Sequence, residues 1–221
     1  MRLSRYTPGP RNLALACDKI NARLIHVSTD YVFPGTPNGP DGHTPLDECC
    51  LPAPVSAYGQ TKLLGEQYVQ RFCRRHFIVR TAWLYGYHGK NFVKTMVNLG
   101  KTHSEITVVN DQMGNPTNAV DLAYHLLKLA VSHDYGTYHC TCNGVCSWYD
   151  FAAEIMRLAN LPCTVKPCTS AEYAAAHPES ANRPAWSALD NCALRCTVDD
   201  DMRDWKDAIN DFFKTGMENK L

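Results

Sequence analysis

The sequence predicts an α/β protein with a parallel sheet. Strand-like and helix-like segments alternate along its 221 residues. The strand-like pieces are short apolar runs, as expected of strands buried on both faces. There is no internal repeat and no low-complexity tract.

The elements follow in order. Pro10 to Asn21 reads as a helix with Leu13, Leu15, Ala16 and Ile20 turned inward, and Pro10 suits its first turn. Arg23 to Ser28 is an apolar strand. Residues 30–55 are dense in Pro and Gly and form a long loop; loops of that length tend to be functional or disordered. Ser56 to Arg75 is a long helix. Phe77 to Thr81 is a strand that runs into Ala82-Trp83-Leu84-Tyr85-Gly86. Asn91 to Gly100 is a helix and Ile106 to Val109 a strand. Asn118 to Ser132 is an amphipathic helix with Val120, Leu122, Ala123, Leu126, Leu127, Leu129 and Ala130 apolar, capped by Asn118 or Thr117. Thr137 to Thr141 is a strand. Ser147 caps a helix to about Asn160, and Pro162 follows its end. Residues 163–198 read as short irregular pieces. Met202 to Lys214 is a last helix on Trp205, Ile209, Phe212 and Phe213, stopping at Gly216.

Composition narrows the function. The chain is 45% hydrophobic and 20% charged, and long enough to bury a core without disulfide staples. Lys plus Arg and Asp plus Glu are equal at 22 each, so there is no basic surplus for nucleic acid. No apolar run approaches the roughly 18 residues of a membrane span. Met1-Arg2-Leu3 followed by Leu13 to Cys17 imitates a lipoprotein signal, but Pro8, Pro10, Arg11 and Asn12 interrupt it. Eleven cysteines are an odd number in a chain too long for a small disulfide scaffold. Cys140, Cys142 and Cys146 invite a metal reading, yet structural zinc wants two tight pairs and no second one follows. Reduced, mostly buried thiols are expected, and with them a reducing, cytoplasmic compartment.

The chemistry gathers at two places. The strand ending in Ser28-Thr29-Asp30-Tyr31 brings polar groups to the carboxyl edge of the sheet, where α/β proteins bind ligands. The helix from Ser56 begins with Tyr58-Gly59-Gln60-Thr61-Lys62. Tyr58 and Lys62, four apart, share one helix face. A free phenol, with a pKa near 10, is a poor acid at neutral pH. A neighbouring ammonium favours the phenolate and tunes it. The phenol then exchanges a proton with a carbonyl or alcohol oxygen, and the Thr29 hydroxyl fixes that oxygen. A nicotinamide cofactor would supply the hydride. A bare Tyr-x-x-x-Lys also occurs as an ordinary surface pair.

The run Arg23 to Phe33, Gly35, and Pro54 through Ala57-Tyr58-Gly59-Gln60-Thr61-Lys62-Leu63-x-Gly65-Glu66 resembles the extended short-chain dehydrogenase/reductases. More narrowly it is similar to the dTDP-4-dehydrorhamnose reductase family. Arg80 to Gly86, Asn91-Phe92-Val93, Asp111-Gln112-x-Gly114-x-Pro116-Thr117 and Arg183-Pro184-x-x-Ser187-x-Leu189-Asp190 agree. The resemblance runs from about Gly9 to near the C-terminus. It implies reduction of the 4-keto group of dTDP-4-dehydro-L-rhamnose to dTDP-L-rhamnose, the rhamnose donor for polysaccharide, with NADPH or NADH.

The resemblance also assigns roles. Tyr58, Lys62 and Thr29 fall on the catalytic positions. Tyr58, Lys62 and Ser28 fall against the cofactor. Thr29, Asp30, Trp83, Asn91, Gln112, Thr117 and Arg183 fall on the substrate side. For Arg183 a surface ion pair is an equal reading. Residues 1–88 and 117–139 would form the remainder of a dinucleotide-binding domain, and residues 89–116 and 140–221 a smaller C-terminal α/β substrate lobe. A dTDP-sugar is the implied partner, with no nucleic acid and no membrane. A homodimer and a Mg2+ ion stay open.

The sequence has no GxGxxG or GxxGxxG, so the implied sheet is an incomplete Rossmann-like one that lacks its first strands and the Gly-rich pyrophosphate loop. Met1 to Thr7 look unlike the family. Poor NADPH binding and an exposed apolar edge strand are the expected consequences. Two other readings remain open. One is another sugar-nucleotide reductase or epimerase of the superfamily. The other is a non-catalytic regulatory subunit, against which the intact Thr29, Tyr58 and Lys62 argue.

Overall fold

The computed structural model describes residues 8–39, 41–179 and 183–217; Met1 to Thr7 lie outside the described residues. The chain opens with α1 (Pro8–Lys19), β1 (Leu24–Thr29) and a 3-10 turn (Asp30–Val32). After a long irregular stretch come α2 (Ala57–Phe72), β2 (His76–Thr81), β3 (Leu84–Tyr85), α3 (Phe92–Thr102) and β4 (Glu105–Val109). Next are β5 (Met113–Gly114), β6 (Thr117–Asn118), α4 (Ala119–Val131), β7 (Gly136–His139) and β8 (Cys146–Ser147). The last are α5 (Trp148–Leu158), β9 (Thr164–Cys168), α6 (Ser170–Ala176), α7 (Cys192–Thr197), α8 (Trp205–Phe212) and a π-helical turn (Phe213–Met217).

The predicted α/β architecture is present. β1, β2 and β7 form a parallel sheet in that order, with β2 central and His76 its one incompletely buried residue. Its register with β1 runs from Leu24↔His76 to Thr29↔Thr81. β4 and β9 form a second parallel pair. Among the described residues β1 has a strand on one side only. One core joins both sheets: Phe77, Val79 and Tyr138 meet Phe151, Ile155, Trp205, Ile209 and Phe212.

Local signals set the helix starts. Ser56 accepts from Gly59 N, Asn91 from Lys94 N and Asn118 from Val120 N. Ser147 and Asp150 form a reciprocal capping box.

Four details differ from the sequence reading. Leu13, Leu15 and Ala16 of α1 are exposed, as is Ile20 just beyond its end, and Ala14 is buried instead. Ala14 packs with Val69, Cys73 and Ile78, and its small side chain lets α1 and α2 approach closely. In α4, Leu122 and Leu129 face inward while Val120 and Leu127 face out, because the apolar arc is wider than the surface that covers it. Residues 163–198 are more regular than expected. β9 pairs with β4 over all five residues, and α6 carries its own capping box, Thr169 with Glu172. The last α-helix ends at Phe212, so Gly216 falls inside the π turn.

All eleven cysteines are free thiols. Cys140, Cys142 and Cys146 are buried in the main core, whereas Cys49 and Cys196 are exposed. No helix among the described residues is long and apolar enough to cross a membrane.

Candidate active site

The carboxyl end of β1 and the first turn of α2 face one another. β1 ends in Ser28 and Thr29, paired with Arg80 and Thr81 of β2. Thr29 then caps the 3-10 turn by accepting from Tyr31 N, which aims its hydroxyl at the sheet edge. On the facing side, Ser56 starts α2, and Gly59 seats it. A Cβ at Gly59 would lie 2.1 Å from the Tyr31 carbonyl oxygen, so only glycine lets helix and loop come this close. Tyr58 and Lys62 therefore point toward the end of β1. They line a cavity of about 510 Å³ together with Ser28, Thr29, Asp30, Tyr31, Thr81, Trp83, Trp148 and Arg183.

Thr29 Oγ1 donates to Asp30 Oδ1 at 2.8 Å, and Thr29 and Tyr58 line the same cavity. Tyr58 is 50% exposed, so its hydroxyl can be reached, and the Tyr31 ring packs edge-on against it at 5.5 Å. Lys62 Nζ donates to the Val27 carbonyl oxygen at 2.6 Å. Burial pushes the Tyr58 phenol above its ordinary value; the Thr29 hydroxyl opposes this, and the Asp30 carboxylate adds to it. The expected downward tuning by Lys62 is not what this arrangement produces. The ammonium is committed to Val27, and its own pKa is lowered by burial, against the pull of Glu66. The phenol is thus kept protonated, the form that donates. Burial pushes Asp30 up to about 6. The hydroxyls of Ser28 and Thr81 are buried here without a hydrogen-bond partner.

Behind these residues lies a buried ion pair. Arg80 Nη2 donates to Glu66 Oε2 at 2.7 Å and Nε to Oε1 at 3.0 Å. Glu66 sits one helical turn beyond Lys62, so the pair ties α2 to β2 directly behind the site.

Trp83 forms the far wall. Its φ of 46° is left-handed, a conformation that costs a non-glycine residue about 1–2 kcal/mol. Packing holds it there. Trp148 stacks on it at 3.6 Å and 9°, and Gly114 backs it, where a Cβ would come within 2.7 Å of the indole. Arg183 lies over the Trp148 ring at 5.4 Å. Beyond the tryptophan pair is a second cavity of about 600 Å³, lined by Phe92, Gln112, Ser170, Tyr173 and Arg183 among others. There the Gln112 amide donates to Ser170 Oγ at 2.8 Å.

The structure brings together Ser28, Thr29, Asp30, Tyr58, Lys62, Trp83 and Arg183 around the first cavity. It places Gln112 in the second. Asn91 and Thr117 line neither. Asn91 caps α3 and donates to the Gly86 carbonyl, and Thr117 is wholly buried in β6. Trp148 was missed by sequence reasoning. The capping box before it marks the start of α5 but not the direction of the ring. Among the described residues no three His, Cys, Asp or Glu side chains gather as a metal cluster.

Comparison with known proteins accords with this geometry. A family model described as RmlD substrate binding domain matches residues 6–217. A dTDP-4-dehydrorhamnose reductase of Escherichia coli K12 is 37% identical over 215 residues, covering 92% of this chain and 70% of its own. A dTDP-4-keto-6-deoxy-D-glucose reductase of Streptomyces niveus is 39% identical over 207 residues, covering 93% and 69%. The crystal structure of a Bacillus anthracis dTDP-4-dehydrorhamnose reductase in complex with NADP superposes with a TM-score of 0.88 at 42% identity, covering 96% of this chain and 72% of that one.

Proposed function

The chain belongs to the RmlD substrate-binding-domain family, a family of oxidoreductases, and on that premise we propose that its site reduces the 4-keto group of dTDP-4-dehydro-L-rhamnose to dTDP-L-rhamnose. The observation that carries this reading is the convergence of Tyr58, Thr29 and Lys62 on one cavity walled by Trp83.

Reduction of a carbonyl adds a hydride at carbon and a proton at oxygen. Tyr58 gives that proton and is left as phenolate, a form that the neighbouring Thr29 hydroxyl favours. The raised phenol pKa favours the donating form in this direction. The Trp83 face gives the sugar a flat apolar wall. Arg183 offers a guanidinium to the diphosphate, while Asp30, buried behind Thr29 and bonded to its hydroxyl, does not reach the sugar itself. The second cavity, with Phe92, Tyr173 and Gln112, suits a nucleoside.

NADPH or NADH supplies the hydride when bound. The residues present fit its nicotinamide-ribose end. The unpartnered Ser28 hydroxyl lies in the same cavity as Lys62 and Tyr58, and these three would hold it.

The Streptomyces niveus relative supports a second reading, in which the sugar is another dTDP-linked 4-keto-6-deoxyhexose. Calorimetric titration of dTDP-L-rhamnose tests the substrate side without cofactor, and Trp83→Ala should weaken binding about tenfold, or 1.4 kcal/mol. NADPH consumption with dTDP-4-dehydro-L-rhamnose tests turnover, and Tyr58→Phe should lower it at least about a hundredfold. Equal affinity for UDP-glucose, or a Tyr58→Phe variant of undiminished rate, overturns the assignment.

A further inference from the structure

The Thr29 hydroxyl has one proton to donate and two lone pairs that accept. In this structure the proton and one lone pair are engaged. The Tyr31 backbone N–H donates to Oγ1 at 3.3 Å, and the hydroxyl proton goes to Asp30 Oδ1 at 2.8 Å. No proton is left for a substrate carbonyl oxygen. Asp30 is the one partner that can reverse this. Its carboxyl is 3% exposed, and its Oδ2 is sealed in without a partner, because the neighbouring Ser187 hydroxyl donates to the Met113 carbonyl. A neutral Asp30 would donate to Thr29 Oγ1 instead of accepting from it. The Thr29 proton would then turn toward the cavity that Tyr58 also lines.

We propose that Asp30 is a positioning residue: it decides which way the Thr29 hydroxyl points its proton, so that Thr29 presents a proton to a carbonyl beside Tyr58 only when Asp30 is neutral. This rests on the proposed carbonyl substrate. The Thr29–Asp30 hydrogen bond also makes a claim that needs no substrate. Asp30 acts on Tyr58 through Thr29, which lines the same cavity, and not by its charge alone. Besides Asp30 and Thr29, the groups facing Tyr58 are Tyr31, Lys62 and Arg183. Burial, which pushes Asp30 up to about 6, brings its neutral form within reach near neutral pH.

The test is a double-mutant cycle on the ligand-free protein, free of cofactor and sugar. The ring-carbon NMR signal of Tyr58, assigned by its loss in Tyr58→Phe, is titrated with pH. Asp30→Asn carries an amide that always donates, as the neutral acid would. It should move the Tyr58 midpoint down by about one pH unit or more, since the freed Thr29 proton stabilises the phenolate. In a Thr29→Val background the same substitution should move it by less than half as much. An equal shift in both backgrounds means a field effect only and overturns the proposal, as does no shift in either. Thr29→Ala serves as the second background if Thr29→Val fails to fold. Because no sugar or cofactor is present, failure here is separable from failure of the substrate assignment.

Discussion

Asp30 is buried at a cost that depends on pH. Its carboxyl titrates near 6 in the fold against 3.8 as the ordinary value. Between those values the native state holds a proton that the unfolded chain has lost, so stability falls as pH rises through this window. The penalty is absent below about pH 4 and complete above about pH 6, with an upper bound of about 3 kcal/mol. Asp30→Asn removes the ionisation and keeps the shape. It should therefore stabilise the chain at pH 7.5 and leave it unchanged at pH 4, as read by urea midpoints at the two values. A stability gain that is the same at both pH values would show that the substitution acts through packing. Trp83 makes a comparable trade in backbone geometry. Its left-handed φ is held by Trp148 and Gly114 and yields a flat wall facing Tyr58. Both residues spend stability to shape the site, a pattern common where function constrains structure.

Helix α2 carries the phenol and the ammonium, and the Glu66–Arg80 pair holds it to the sheet. Both partners are almost entirely buried, so removing one strands a charge in the interior, at a cost of about 3–5 kcal/mol. Arg80→Met should lower the urea midpoint accordingly. Adding Glu66→Leu should recover most of the loss, because a buried apolar pair replaces a buried ionic one with little net change. Failure of the double variant to recover would place the cost in the other contacts of Arg80, with His139 at 3.4 Å and the Phe33 ring at 5.1 Å. This contact was not legible in the sequence. Glu66 and Arg80 lie on different elements, and no local pattern announces the crossing. What was legible had a local cause. The strands Leu24–Thr29 and His76–Thr81 stand out by their short apolar stretches, Leu24 to Val27 broken only by His26 and Phe77 to Val79 unbroken, and Tyr58 with Lys62 stands out by helical spacing next to a strand end. The inward face of α1 was misread because apolar residues occupy two of its faces, and packing against α2 selected the one with Ala14. The Thr169–Glu172 capping box was present in the sequence, yet a seven-residue helix gives too few turns for periodicity to show. The ring stack of Trp83 on Trp148 depends on the meeting of β3 and α5, which only the tertiary fold supplies.

The molecule as a whole should be sensitive to acid, and the sign follows from the buried His139 and Asp30 and the half-buried His26. His139 is pushed down to about 3, by burial first and then by the Arg80 charge. Its Nδ1 lies 2.9 Å from the Leu46 carbonyl oxygen, so that nitrogen carries the proton and Nε2 accepts from Arg80. His26 is pushed down to about 4, by burial first and then by Lys62, and its Nε2 is buried without a partner. Both imidazoles ordinarily titrate at 6.5. As pH falls below that value the unfolded chain takes up two protons that the folded one refuses, and stability drops. Asp30 works the other way, since the native state binds its proton first on the way from 6 to 3.8. For these three groups the balance is about one net proton on unfolding between pH 6 and pH 4, a loss of about 1.4 kcal/mol per pH unit, and the Glu48 carboxyl, also raised by burial, works against it. Urea unfolding at intervals across that range measures the slope directly. Asp30→Asn removes one opposing term and should steepen it toward twice that value, whereas His26→Gln should flatten it toward zero. A slope that ignores both substitutions would mean that these groups find water or partners on protonation, and that the acid response of the fold is set elsewhere.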